Sequence, residues 1–265
     1  QVVRDLGLAE QGLRVVERRA QNFLPAPDGS YLLTGEGRTK ASVARLSARD
    51  AYALDGFSRE LEDIADVLRQ FVLRAPPNLV EGFGLGAMSE AFNALGTANI
   101  LRRLSLEQQR NLLDLFTRSA GEILDERFES DLVKALFGFD AIVGNYASPY
   151  AAGSAYVMLH HAFGEVNGKK GVWGHAIGGM GAITQAMAHA ARSHGVEIET
   201  DAGVREVIVE KDRAIGVILD TGETVRAKYV VSNVNPKLLY TRLVPEDALT
   251  GEFRARISRW QNGSG

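Results

Sequence analysis

The stretch Gly171–Pro236, GVWGHAIGGMGAITQAMAHAARSHGVEIETDAGVREVIVEKDRAIGVILDTGETVRAKYVVSNVNP, decides how the chain reads. A glycine-rich turn, Gly178-Gly179-Met180-Gly181, opens it, followed by Ile183, Ala186, Met187 and Ala190 at helical spacing. That spacing predicts one buried helical stripe, which Gly195 ends as a left-handed C′ residue. Apolar or alternating runs follow at Val196–Ile198, Val204–Val209, Ala214–Leu219 and Thr224–Ala227. Lys211-Asp212-Arg213 and Asp220-Thr221-Gly222-Glu223 separate them with turn-forming residues. Tyr229-Val230-Val231 is continuously apolar and reads as a strand buried on both faces. It ends in Ser232-Asn233-Val234-Asn235-Pro236, where small polar residues and a proline start a new helix.

Helix, strand, antiparallel meander and buried strand, in that order, make an α/β segment. The residues around it are similar to one family. Gly178-Gly179-Met180 before the helix, the Val204–Val209 run, Asp220–Glu223 and Val230–Pro236 resemble flavin-dependent amine oxidoreductases of the phytoene desaturase type, as do Gly144–Tyr150 and Gly164–His175 upstream. The resemblance covers nearly the whole chain. It implies a mixed α+β fold: part of a two-dinucleotide-binding-type FAD fold with its β-meander, beside a largely helical substrate domain. The expected division is a substrate-side region over 1–168, an FAD-binding-type segment over 169–243, and a return toward the substrate domain over 244–265. No G-x-G-x-x-G follows a strand with the required spacing; Gly82, Gly84 and Gly86 are one near approach and Gly178, Gly179 and Gly181 another. In the family that fingerprint lies further upstream and a final FAD-contacting segment lies downstream. The expectation is therefore a middle fragment of a longer enzyme, with FAD belonging to the full-length protein.

Composition narrows the remaining classes. With 30 basic and 33 acidic residues well mixed, the net charge of −3 gives no nucleic-acid footprint. There are no cysteines, so disulfides, thiolate metal sites and a cysteine nucleophile are excluded. The 45% hydrophobic content suffices for a sizeable core, and no apolar run approaches the roughly 18 residues of a membrane span. These features point to a cytoplasmic protein and leave open peripheral membrane contact and self-association into a homo-oligomer.

Upstream, Val2–Leu8 reads as a short helix, Leu13–Arg19 as a strand, and Phe23–Thr34 as a hairpin turning at Pro27-Asp28-Gly29. Ser47 and Asp50 form a capping box that opens a long helix to about Leu73, with Tyr52, Phe57, Leu61, Ile64 and Leu68 on its apolar face. Leu79–Ile100, carrying Gly82, Gly84, Gly86 and Gly96, reads as a loop-and-helix connection, with a mobile lid or a membrane-touching surface as the alternatives. A second capping box at Ser105 and Gln108 starts a helix to Thr117. Helices are also expected over Ser119–Phe128, Asp131–Phe137 and Gly153–Ala162.

Two glycines at 178 and 179 let the backbone approach a flat ring or phosphate closely, and a helix N-terminus offers free amides there; a tight structural turn is the alternative. The resemblance places Gly178, Gly179 and Met180 near the flavin, Val204 at the adenine ring through its main chain, and Asn233 beside the pyrophosphate. Val204 reads equally as a core valine, and Asn233 as a helix cap. His175, Tyr156 and His160 are the substrate-pocket candidates, although a structural role suits each histidine. His160 and His161 diverge by about 100° on a helix, and no H-E-x-x-H or carboxylate cluster accompanies them. No catalytic side chain and no metal ligand is therefore assigned. The resemblance implies hydride removal from an apolar, isoprenoid or long-chain substrate by FAD. The alternative is a non-catalytic lipid- or prenyl-protein-binding protein of the Rab escort and GDP-dissociation-inhibitor kind on the same fold.

Overall fold

The computed structural model describes residues 2–35, 37–72, 75 and 85–262, with 85–93, 160 and 161 described by backbone alone. After a single helical turn, α1 (Val2–Asp5), the chain divides into two compact units, residues 8–184 and residues 185–263 with 1–7.

In the larger unit, β1 (Val15–Glu17) is followed by the hairpin β2 (Phe23–Pro25) and β3 (Tyr31–Leu33). The hairpin turns where expected, with Ala26 N–H donating to Ser30 O at 2.9 Å and Gly29 in the left-handed region at φ +83°. A helical run follows: α2 (Thr39–Ala44), α3 (Ala48–Leu68), α4 (Leu85–Arg102), α5 (Leu106–Thr117), α6 (Ala120–Arg127) and α7 (Asp131–Asp140). Residues 79–84 of the glycine-rich connection lie outside the described residues. A 3₁₀ turn, Ala155–Met158, leads into α8 (Leu159–Phe163). Two short ladders close the unit: β4 (Glu165–Val166) with β5 (Lys169–Lys170), and β6 (Gly174–Ala176) back against β1.

The core is built around α3. Leu54, Phe57, Leu61 and Ile64 recur at helical spacing and are buried against Leu115 of α5, Ile123 and Leu124 of α6, and Val133 and Leu136 of α7. Phe57 meets Phe128 and Phe137 edge-on, at ring-centre distances of 5.3 and 5.1 Å, while Phe128 and Phe137 stack on each other. Tyr52, expected on this face, is 89% exposed. At about 100° per residue, Tyr52 lies about 100° from Ala51 and about 160° from Leu54, on the side of the helix away from the buried stripe.

Helix starts are well specified. Ser105 and Ser119 each form a complete capping box, with Gln108 and Glu122 respectively. Ser47 caps α3 by accepting from Asp50 N–H at 3.0 Å. Asp50 departs from the capping-box expectation: its carboxylate does not return to residue 47 but accepts from Glu129 N–H and Ser130 N–H, each at 2.9 Å, at the head of α7. Ser47 Oγ donates to Glu129 Oε1 at 2.6 Å.

In the smaller unit, the second half of α9 (Met180–Ser193) precedes a three-stranded meander of β7 (Val204–Glu210), β8 (Arg213–Leu219) and β9 (Thr224–Arg226). Lys211 and Asp212 both have positive φ, 51° and 61°, and connect Glu210 to Arg213 as a two-residue hairpin loop whose twist suits the strands. A short turn, α10 (Pro236–Leu238), continues as a π turn to Leu243, and α11 (Gly251–Ser258) ends the unit.

Two expected strands are not formed. Val196–Ile198 is irregular, with Val196 50% and Ile198 40% exposed. Tyr229–Val231 has no ladder partner among the described residues, and Tyr229 and Val231 are 83% and 94% exposed. A strand buried on both faces needs neighbours on both edges to receive its amides and carbonyls. The apolar run supplies the side chains of such a strand without that pairing.

Replacing the fully buried Asp50 by alanine leaves the part-buried amides of Glu129 and Ser130 without acceptors. Asp50→Ala is expected to lower the unfolding free energy by roughly 3 kcal/mol, read from the shift of the urea midpoint, and Asp50→Asn, which keeps one acceptor, by less.

Candidate functional site

The clearest candidate feature is the turn from β6 into α9. Gly178 and Gly179 have φ of +89° and +77°, a pair of left-handed conformations that strains any residue with a Cβ. Gly179 N–H donates to Ala176 O at 2.9 Å and Ala182 N–H to Gly179 O at 3.1 Å, which fixes the turn onto the helix start. A Cβ on Gly178 would meet Ala182 Cβ at 3.3 Å, whereas one on Gly179 would find nothing within 4 Å. Both glycines and Met180 are exposed, Met180 at 78%. The first amides of a helix have no partner within it, so the turn presents an open face with N–H groups at its edge.

His175 lies three residues before the turn, paired opposite Val16 on the β1–β6 ribbon. Its Nε2 accepts from Arg18 Nε at 2.6 Å. The Arg18 guanidinium lies 5.6 Å from the ring centre of Trp173 and also donates to Gln21 O at 3.3 Å. No sequence signal singles out Arg18, because the pair is separated by 157 positions.

Other sequence-derived candidates fall elsewhere. Tyr156 lies in the 3₁₀ turn, stacked on Phe116 at 5.5 Å and 48% exposed. His160 belongs to α8, and its side chain lies outside the described residues. Val204 begins β7 in the smaller unit, opposite Leu219, and at 37% exposure it is not the core valine of the alternative reading. The turn before it is tight: Asp201 has φ +59°, and a Cβ on Gly203 would collide with the Asp220 carboxylate. Asn233 is exposed and irregular, and it neither ends a strand nor caps a helix. Asn235 is the cap, accepting from Lys237 N–H at 2.9 Å and Leu238 N–H at 3.4 Å.

A cavity of about 520 Å³ opens in the larger unit, within the size range of ligand sites. Leu54 and Leu61 of α3, Leu136 and Phe137 of α7, and Met158 form its apolar wall. Arg38, Glu62, Asp140 and the Lys40–Asp55 ion pair supply the polar part. Tyr156 and His175 are not in its lining. Asp140 is the last residue of α7, and burial raises its carboxyl to about 7. The negative end of the helix works in the same direction. Nothing in the sequence marks this residue, since a single aspartate at a helix end carries no pattern.

The family described as flavin containing amine oxidoreductase matches residues 6–264. The chain belongs to that family. It is 31% identical over 272 residues to the rat (Rattus norvegicus) pyridine nucleotide-disulfide oxidoreductase domain-containing protein 2, covering 98% of this chain and 47% of the relative. Similarity at 28% identity extends to the 4,4'-diaponeurosporene oxygenase of Staphylococcus aureus, over 83% of this chain and 40% of that protein. Among solved structures, a putrescine oxidase redesigned in its cofactor binding superposes with a TM-score of 0.53 at 18% identity, over 97% of this chain and 49% of that one. The chain thus shares the mixed helix-and-strand fold of an FAD-binding amine oxidase, and it spans about half the length of the curated relatives it matches. Membership in the family implies FAD as the cofactor. The Gly178–Gly179 turn fits such a group, having open space where a Cβ on Gly179 would project and helix amides beside it. No helix among the described residues is long and apolar enough to cross a membrane.

The raised Asp140 carboxyl gives a signed pH dependence. Between about pH 4 and 7 the native state keeps a proton that the unfolded chain has released. Stability is therefore expected to fall as pH rises through that window and to level off above it. Urea unfolding at stepped pH is expected to show this slope in the unsubstituted protein and a flatter profile in Asp140→Asn.

Proposed function

We propose that the full-length protein is an FAD-dependent oxidoreductase that removes hydride from an apolar substrate, and that the Gly178–Gly179 turn is part of its flavin cradle. The observation that carries this reading is the pairing of family membership with an exposed double-glycine turn of positive φ at the head of α9. When bound, the flavin supplies the redox chemistry by accepting hydride from a substrate carbon. The chain's own residues bind and orient it. Gly178 and Gly179 allow close approach of the ring, and the α9 amides favour its electron-rich edge. Val204 would meet the adenine through its main chain, and Asn233 would lie on the pyrophosphate side.

An isoprenoid or long-chain molecule fits the substrate reading best. Supporting it are the apolar wall of the 520 Å³ cavity and the similarity to a protein named for diaponeurosporene oxygenation. Arg38, Glu62 and Asp140 would then meet whatever polar end the molecule carries. In this reading the protein acts on a small molecule rather than nucleic acid. Its apolar substrate brings it to the membrane surface, and exposed apolar segments such as Tyr229–Val231 favour self-association.

The test is the visible spectrum of the purified full-length protein, followed by anaerobic titration with long-chain and isoprenoid candidates. A flavin band that bleaches on adding substrate is the expected result. A colourless protein that retains lipid would favour the binding-protein alternative. Gly179→Ala sharpens the test because its methyl group would touch no neighbour in the chain. Its cost to the fold is expected to be only the positive-φ strain, about 1–2 kcal/mol. A loss of flavin affinity of about tenfold or more, with the fold intact by circular dichroism, would place the ring on this turn.

A further inference from the structure

The β1–β6 ribbon runs without slack into the double-glycine turn. Its register pairs Val15 with Ala176, Val16 with His175 and Glu17 with Gly174. Beyond the ladder, Ile177 N–H donates to Arg14 O and Arg18 N–H to Trp173 O, both at 2.8 Å. One face of β6 is closed: a Cβ on Gly174 would come within 2.8 Å of Val15 and 2.9 Å of Val166. Successive strand residues alternate faces, so His175 projects from the other, and it is exposed.

The Arg18 contact determines what that ring offers. A guanidinium is only a donor and stays charged, so the nitrogen it meets at 2.6 Å, Nε2, is the lone-pair nitrogen of the neutral ring. The proton then sits on Nδ1. Arg18 is itself fixed by its contact with Gln21 O, its own backbone bond to β6, and the face of Trp173. The ribbon thus carries a histidine of defined tautomer, with an Nδ1–H donor three residues before the turn.

We infer that His175 is a hydrogen-bond donor to the flavin, and that Arg18 is the residue that positions it and sets its tautomer. This rests on the flavin reading of the Gly178–Gly179 turn. His175 serves binding and orientation and carries no proton in the reaction; Arg18 acts only through it.

Two measurements test the inference. On the chain itself, ¹⁵N NMR of the imidazoles is expected to show His175 as the Nδ1–H tautomer, and Arg18→Gln is expected to turn it into a mixture. An Nε2–H tautomer in the unsubstituted chain would overturn the inference without any flavin present. In the flavin-loaded full-length protein, Arg18→Gln and His175→Ala are expected to weaken flavin binding roughly threefold to tenfold, the worth of one hydrogen bond, and to shift the flavin absorbance band. Asparagine places its amide nitrogen near the Nδ1 position and glutamine near Nε2. His175→Asn is accordingly expected to keep most of the affinity, and His175→Gln to lose it. The reverse order would mean that the ring serves only to receive Arg18, and the inference fails. Flavin affinity and band unchanged in every variant would overturn it while leaving the flavin reading intact. Failure of the unsubstituted protein to take up flavin would overturn both.

Discussion

One buried carboxylate holds the larger unit's helices in register. Asp50, in the first turn of α3, receives the amides of Glu129 and Ser130 at the start of α7. Ser47, one turn earlier, donates to the Glu129 side chain. Two helix N-termini, each with amides lacking intrahelical partners, thereby share one anion favoured by both dipoles. Geometry follows from this. Leu54, Asp55, Ser58, Leu61 and Glu62 of α3 face Leu136, Phe137 and Asp140 of α7 across the 520 Å³ cavity. The anchor lies at one end of that helix pair and the cavity along it, so the width of the cavity depends on a hydrogen-bonded group that takes no part in lining it. Asp50 is fully buried, and exclusion of water strengthens each bond its carboxylate accepts.

What could be read in the sequence was local. Ser105 with Gln108 reports its helix start because both halves of the capping box lie within one turn, and Lys211-Asp212 reports its hairpin because the loop twist is set by those two residues alone. Gly178-Gly179 was legible for the same reason: positive φ at two successive positions is a demand that few residues but glycine meet. The family resemblance added a cofactor that no spacing in the chain declares. What could not be read was non-local. Asp50 and Ser47 looked like a capping box, and half of that reading holds; the other half fails because the carboxylate's partners lie about 80 positions away. Tyr229–Val231 has the composition of a buried strand, yet composition cannot say whether an edge is there to pair with. Val204 and Asn233 lie in one unit and the double-glycine turn in the other, so the common role proposed for them rests on the family resemblance alone.

Arg18 and His175 bring these two levels together. Joining β1 to β6 closes a loop of more than 150 residues, and the entropy lost grows only slowly with that length. Three ladder pairs, the Arg18 and Ile177 backbone bonds and the Arg18 side chain offset it. These same contacts continue into the Gly178–Gly179 turn. The ribbon can separate only by releasing the histidine and loosening the turn together. A site assembled this way has few independent ways to be partly formed: its glycine turn, helix amides and histidine are held by one closure. Gln21 and Trp173, which Arg18 contacts, also line the cavity between α3 and α7, so the proposed cofactor turn and the proposed substrate cavity share part of their support, and loosening the ribbon would disturb both.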